Sequence, residues 1–301
     1  MSELSNKYKI LSKLGNQVNS KFGEVFLIEN RITGAKAVMK ALMRTGSNQA
    51  AQERLKHEAT FSFDLPGLPA TIDLIETKNE IILIKSFHPG IPLDEFWFSI
   101  AKNERKEYLL KILEGLCKIF EHLAKLNIVH CDIKPGNILV DFKSGTLVVS
   151  LIDFGLALRT FEPNKRSTLF PLGFAAPELI LNRLDLVDQR TDLYALGIVI
   201  WRLYDGKLPL THPNPSVFTN LQLTHPLPES DKLPKGLHIL LQKLSAKHQF
   251  KTAPNLMDNQ AVLAGLKEGM DQRYSELSVF IEEFRSLPKR QKWLLFNKGL
   301  F

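Results

Sequence analysis

The sequence predicts an α+β fold of two lobes, a small one rich in strands followed by a larger helical one. Three observations carry that expectation. Short-period mixtures of apolar and polar residues fill roughly the first eighty positions. From Leu93 onward the period lengthens, and a long amphipathic helix follows at Tyr108–Leu126. The chain has 301 residues, enough to bury a large core without disulfides or metal, and Cys117 and Cys131 form no disulfide framework.

The elements follow in order. Lys9–Leu14, Phe22–Ile28 and Ala35–Leu42 read as strands, and Asn30–Gly34 is a turn broken by Thr33-Gly34. Asn48–Phe63 has helical tendency and is stopped by Pro66, Gly67 and Pro69. Thr71–Ile75 and Glu80–Ile84 read as a further pair of strands, and Ser86–Gly90 as a hinge. In Tyr108–Leu126, Leu109, Ile112, Leu113, Leu116, Ile119, Phe120, Leu123 and Leu126 make one apolar face. Short strands are expected around Ile138–Val140 and Val148–Ile152, and a last helix over Tyr274–Leu287. The expected division is 1–87 for the small lobe, 88–262 for the large lobe and 263–301 for a helical extension with a basic, aromatic end.

Composition excludes little but directs attention. The net charge of +7 favours acidic or phosphorylated partners, and no nucleic-acid-binding motif accompanies it. Met1–Lys9 is polar and resembles no export signal, and the apolar run Leu193–Trp201 is too short to span a bilayer. With two cysteines, a reducing compartment such as the cytoplasm is the expectation.

Five motifs bear chemistry. His130-Cys131-Asp132-Ile133-Lys134-Pro135-Gly136-Asn137-Ile138-Leu139 lies between the long helix and a strand. Asp153-Phe154-Gly155 follows an apolar strand, and Ala176-Pro177-Glu178 closes a 26-residue segment begun at Asp153. Arg190-Thr191-Asp192-Leu193-Tyr194-Ala195-Leu196-Gly197 comes next, and Val38-Met39-Lys40 ends a strand of the small lobe. In this order, over roughly residues 8 to 255, the chain resembles the eukaryotic-like serine/threonine protein kinase family as a divergent, compact member.

The resemblance implies a bilobal protein-kinase-like fold and an ATP- and Mg²⁺-dependent kinase acting on serine or threonine. It implies Asp132 as catalytic base, since a hydroxyl is a poor nucleophile and needs an anion in hydrogen-bond reach. Lys134 would contact the transferred phosphoryl group, and its position two residues after the aspartate resembles serine/threonine rather than tyrosine kinases. Asn137 and Asp153 would ligate Mg²⁺ through hard oxygens. Lys40 would neutralise the α- and β-phosphates, with Glu58 as its partner. Glu53 is on the same helix; Glu58 is preferred because it precedes the apolar turn Ala59–Phe63. Gly15 and Gly23 frame a glycine-rich loop whose intervening Asn16–Lys21 is longer than the family pattern by about three residues, with Ser20 for the middle glycine. Val25, Val38 and Leu139 complete the nucleotide-binding set, Leu139 as the floor of the adenine pocket. Asp192 would hydrogen-bond the catalytic-loop backbone.

The departures from the family matter as much. Cys131 replaces the arginine that usually pairs with a phosphorylated activation loop, so activity is not expected to hinge on such a switch. Thr160, Ser167 and Thr168 are candidate autophosphorylation sites. Pro171 replaces a threonine that contacts the catalytic aspartate and lysine. The arginine partner of Glu178 is expected near residues 247–253, where Lys247, Phe250 and Lys251 stand and no arginine does, so that ion pair is expected to be altered or lost. Lys85 falls at the position guarding the back pocket. A one-residue slip, with Ile84 inward and Lys85 in solvent, is favoured because burying a lysine without a partner is costly. A serine- or threonine-bearing protein is the expected substrate, and no nucleic-acid partner is expected. The end, Lys289–Phe301, either packs on its own lobe or meets an anionic membrane or a partner groove. Two other functions fit the same motifs: a small-molecule kinase of this fold, and a pseudokinase-like binding scaffold.

Overall fold

The computed structural model describes residues 2–15, 23–161 and 170–288. Ser20 and the rest of 16–22, Ser167 and Thr168, and the terminal 289–301 lie outside the described residues. A short helix α1 (Ser2–Lys7), where the sequence suggested only a polar lead, enters β1 (Tyr8–Leu14). Then come β2 (Glu24–Asn30), β3 (Lys36–Met43), α2 (Gln49–Ala59), β4 (Thr71–Glu76) and β5 (Glu80–Ser86). The strands form an antiparallel sheet in the order β1-β2-β3-β5-β4. The β2–β3 turn closes because the Asn30 side chain accepts from the N–H groups of Ile32 (2.9 Å) and Thr33 (3.1 Å).

Strand alternation sorts the small lobe into two faces. Ala37 and Met39 of β3 and Ile82 and Ile84 of β5 pack with Tyr8 and Ile28 on one face. Leu42, Ile81 and Leu83 pack on the other, against Ala51 and Leu55 of α2. The register sets Lys40 opposite Leu83 and Val38 opposite Lys85, so both lysines share the face turned to α2.

The chain crosses to the large lobe at Ser86–Gly90. The Ser86 N–H donates to Ala70 O, and His88 lies between the hydroxyls of Ser86 (3.3 Å) and Ser150 (3.2 Å). Gly90 has φ +123°, and a Cβ there would sit 2.7 Å from Val140 O, so no other residue fits.

The large lobe comprises β6 (Ile91–Pro92), α3 (Leu93–Ser99), α4 (Arg105–Lys125), β7 (Ile128–Val129), β8 (Ile138–Lys143), β9 (Thr146–Leu151) and β10 (Leu158–Arg159). It continues with α5 (Pro177–Ile180), α6 (Gln189–Asp205), α7 (Pro215–Thr224), α8 (Lys235–Leu244), α9 (Asn259–Asp271) and α10 (Leu277–Ser286). The apolar face expected on α4 is buried from Leu109 to Leu123, while Leu126, just past the helix, is exposed. Its core takes in α6, α8 and α10, with Leu277, Phe280, Ile281 and Phe284 of α10 buried in the same cluster. Of the expected extension from 263, the part to 288 is therefore packed onto the large lobe. Phe61, Phe63 and Leu68, from the segment after α2, are buried in this core as well.

Candidate active site

Lys40 projects from β3 toward α2, and its Nζ lies 2.7 Å from both carboxylate oxygens of Glu58 and 3.2 Å from Asp153 Oδ1. Burial alone would lower the Lys40 pKa; the carboxylates of Asp153 and Glu58 outweigh it and hold the ammonium above the usual lysine range. Glu53 sits on the exposed side of α2 and meets Gln49 instead (3.1 Å).

The loop between β7 and β8 carries the other half. Asp192, in the first turn of α6, accepts from the backbone N–H groups of His130 (2.7 Å) and Cys131 (2.9 Å). Burial pushes the Asp192 carboxyl up to about 7, against the pull of those two donors. The loop so held presents Asp132, itself 4% exposed. Lys134 Nζ (2.8 Å) and Asn137 Nδ2 (3.1 Å) both donate to Asp132 Oδ2, and Asn137 Nδ2 also donates to Asp132 O (2.8 Å). Asn137 therefore spends its amide N–H groups within the loop and keeps its oxygen for another partner.

Asp153 follows β9 with φ 67°, a left-handed conformation that costs a non-glycine residue roughly 1–3 kcal/mol unless its surroundings enforce it. Phe154 supplies that enforcement. Fully buried, its ring meets those of His130 (4.6 Å), Phe63 (4.7 Å) and Phe61 (5.9 Å). Burial would raise the Asp153 carboxyl; Lys40, Arg54 and Lys134 outweigh it and hold it well below the usual carboxylate range.

Sequence reasoning missed Arg54. From α2 its Nη2 reaches Asp153 Oδ2 (3.5 Å) and Asp132 Oδ2 (3.6 Å), bridging the two carboxylates. Its position one turn before Glu58 was the available signal, since i and i+4 share a helix face. Gly155 makes room: a Cβ there would lie 2.6 Å from Arg54 Nε.

The donor chemistry suits a hard cation. Asp153 offers a carboxylate and Asn137 an amide oxygen, while no cluster of three or more His, Cys, Asp or Glu side chains fit for a metal occurs among the described residues. One carboxylate, one amide oxygen and ligand phosphates are what Mg²⁺ usually takes, whereas a zinc cage needs more protein ligands.

The glycine-loop residues are placed less tellingly. Gly23 has φ +91°, and a Cβ there would lie 2.5 Å from Ala41 O, so close approach of β3 already demands a glycine. Gly15 has φ +82° in open space. Val25, Val38 and Leu139 are half-buried; Val25 pairs with Lys40 in the sheet, and Leu139 pairs with Pro92 and Ser150.

Two expectations are overturned. Lys85 does not point to solvent: it is 3% exposed, and its Nζ donates to Phe61 O (2.5 Å), Thr71 Oγ1 (3.1 Å) and Glu58 O (3.5 Å). Ile84 is buried on the opposite face of the sheet. The desolvation argument failed because the turn after α2 supplies the missing acceptors. The ion pair of Glu178 is likewise intact. Arg273, between α9 and α10, donates from Nη1 to Oε1 (2.6 Å) and from Nη2 to Oε2 (3.0 Å), with both side chains fully buried. Lys247 instead donates to Gln222 O.

Cys131 is buried in an apolar cluster with Val129, Leu156, Leu158, Phe170, Ala175, Leu179 and Val187. Burial raises its thiol well above the usual range. Pro171 starts a turn, its carbonyl accepting from the N–H groups of Phe174 (3.2 Å) and Ala175 (3.1 Å). Thr160 is exposed, and its N–H donates to Asn127 O (2.9 Å).

Comparison with known proteins agrees with this layout. The protein kinase domain profile matches residues 8–258. The chain is 26% identical over 95% of its length to the serine/threonine-protein kinase PrkC of Bacillus subtilis, covering 44% of that protein. It is 27% identical over 92% of its length to the serine/threonine-protein kinase pkn2 of Myxococcus xanthus, covering 34%. It is 30% identical over 70% of its length to the smooth-muscle myosin light chain kinase of Gallus gallus, covering 11%. The chain thus spans under half the length of each of these relatives.

Proposed function

From the premise that this chain belongs to the protein kinase domain family, we propose that it transfers the γ-phosphoryl group of ATP to serine or threonine hydroxyls of a protein. The observation that carries the reading is two hydrogen-bonded clusters, Lys40 with Glu58 and Asp153, and Asp132 with Lys134 and Asn137, which Arg54 bridges through Asp153 (3.5 Å) and Asp132 (3.6 Å). Kinase catalysis is chiefly positioning and charge neutralisation, so a complete, connected set supports turnover over a scaffold role.

In this reading the substrate hydroxyl binds at Asp132. The contacts that lock the carboxylate fall on Oδ2, and among the described residues Oδ1 is left for the incoming hydroxyl. The hydroxyl oxygen forms a bond to the γ-phosphorus, the bond to the β–γ bridging oxygen breaks, ADP departs and the hydroxyl proton passes to Asp132. Lys134 stabilises charge on the transferred group, and Lys40, oriented by Glu58, binds the α- and β-phosphates. Mg²⁺, when bound, neutralises phosphate charge, and Asn137 Oδ1 with the Asp153 carboxylate would hold it. The Asp153 carboxylate stays ionised across the physiological range.

The Lys134 contact and the family's serine/threonine kinases support a protein substrate, and autophosphorylation at Thr160 is compatible with its exposure. The test is phosphoryl transfer from labelled ATP to the chain itself and to a generic basic protein. Wild type should label serine or threonine, while Asp132→Asn and Asp153→Ala lose at least about a hundredfold. Label that persists in both variants would sink the assignment.

A further inference from the structure

We propose that Lys85 is a positioning residue: its buried ammonium ties the C-terminal end of α2 to β4 and β5 and thereby fixes the Glu58 carboxylate that holds Lys40. The inference rests on the kinase reading for its consequence in turnover, but the restraint on α2 stands on geometry alone. α2 ends at Ala59, and beyond the backbone N–H groups of Thr60 and Phe61, which cap His57 O (3.0 Å) and Glu58 O (3.1 Å), its last carbonyls look outside the helix for partners. Lys85 Nζ reaches Glu58 O (3.5 Å) and Phe61 O (2.5 Å), so a positive charge sits at the negative end of the helix. Thr71 Oγ1 accepts from the same ammonium (3.1 Å), and its single proton faces Ala59 O (3.0 Å) and Phe61 O (3.1 Å). Glu58 is thus held at both ends, its backbone by Lys85 and its carboxylate by Lys40. The ring of Phe61, whose carbonyl Lys85 holds, packs against Phe154 beside Asp153.

The arrangement carries a pH dependence. Lys40 from β3, Glu58 from α2, Asp153 after β9 and His88 from the hinge are the charged or titratable groups that bear on Lys85. Burial is the main influence and pulls its pKa down to about 8 from 10.5; Lys40 adds to that, and Glu58 and Asp153 oppose it. The folded chain therefore binds this proton more weakly than the unfolded chain does. The cost of the buried charge is present in full below about pH 8 and is relieved as pH climbs toward the ordinary lysine value. The restraint on α2 behaves oppositely: it is intact below pH 8 and lost above it.

The experiment compares wild type with Lys85→Met, an unbranched, uncharged side chain that ends one atom short of the ammonium. Three quantities are read: amide hydrogen exchange at the end of α2, the pH profile of kcat/KM for ATP, and the melting temperature. At pH 7 the variant should exchange its amides at residues 57–61 at least about tenfold faster and lose roughly tenfold in kcat/KM for ATP, the scale of one hydrogen bond from a charged donor. The KM for the protein substrate should not move. Wild type should show an alkaline fall in kcat/KM near pH 8 that the variant lacks. The melting temperature should hold or rise, because a buried cation has been removed. Unchanged exchange in the variant overturns the proposal, as does an alkaline limb that survives it. A lowered melting temperature with parallel loss of activity also overturns it, since that is a merely structural role. If wild type shows no phosphoryl transfer, the kinase reading fails, and the exchange comparison still decides whether Lys85 restrains α2.

Discussion

Arg273 and Glu178 lie 95 positions apart in the chain, yet they form a two-pronged ion pair with exposures of 1% and 0%. Removing one partner of such a pair strands the other charge in the interior, which costs about 3–5 kcal/mol. Arg273→Met should lower stability by that amount at pH 7, read from the urea midpoint, and Arg273→Met with Glu178→Gln should recover part of it. Burial would raise the Glu178 carboxyl, and Arg273 outweighs it, so its pKa in the folded chain lies below the usual 4.5. The pair's contribution is then complete above that value and fades as pH falls below it. The gap between wild type and Arg273→Met should accordingly shrink in acid; a constant gap would contradict the linkage. The sequence named Glu178, Lys40 and Glu58 from motif and spacing, but it looked for the arginine too early in the chain. Spacing within a motif is fixed by local backbone geometry, so it transfers between relatives. An ion pair needs only proximity in space, and a donor can come from any element that reaches the spot. Lys85 was misjudged for the same reason, because two of its three acceptors are backbone oxygens that carry no residue identity and the third is the hydroxyl of Thr71 on a neighbouring strand.

Elements were more legible than contacts. The strands of the small lobe and the helix α4 lie within a few residues of where periodicity put them, because burial of one face imposes the period. The brief helix α1 and the pieces β6, β7 and β10 carry too few residues for any period to register. Neighbouring elements also reach Cys131. Its replacement of the usual arginine reads in sequence as the loss of a charge partner; in the fold it is one wall of an apolar cluster that receives Phe170, 7% exposed. That side chain anchors the segment before α5 by packing rather than by charge. Phe170→Ala should cost about 3 kcal/mol, near the low end for a buried phenylalanine because the segment can relax. It should also raise KM for the protein substrate while leaving KM for ATP unchanged, a split that steady-state kinetics at two fixed ATP concentrations will read. Equal effects on both would mean that the segment supports the whole cleft rather than the substrate side.

At the scale of the molecule, the two lobes are joined by more than the hinge. His57 meets Ala157 O (2.6 Å), Arg159 donates to Thr60 O (3.0 Å), and the Leu151 N–H donates to Gly67 O (2.8 Å). Gly67 itself, with φ +92°, lies against β9 so closely that a Cβ would sit 2.6 Å from Val149 O. The chain between α2 and β4 is thus embedded in the large lobe before the small lobe is finished. Its Phe61, Phe63 and Leu68 have most of their burial partners in residues made later, on α4 and around Phe154, although Phe61 also meets His57 (4.9 Å). The order of synthesis and the order of burial therefore disagree. A ribosome from which residues 1–87 have emerged presents a sheet whose α2 already has its Lys85 tie, and three large apolar side chains that lack most of their packing partners. Expressed alone, that fragment should bind hydrophobic dyes and lack sharp near-ultraviolet dichroism, and adding residues 88–288 should restore both. A fragment that folds cooperatively by itself would mean that the large-lobe packing of Phe61, Phe63 and Leu68 is dispensable. The small lobe should then be completed only after the large lobe that follows it in the chain, and until then its apolar surface should need shielding.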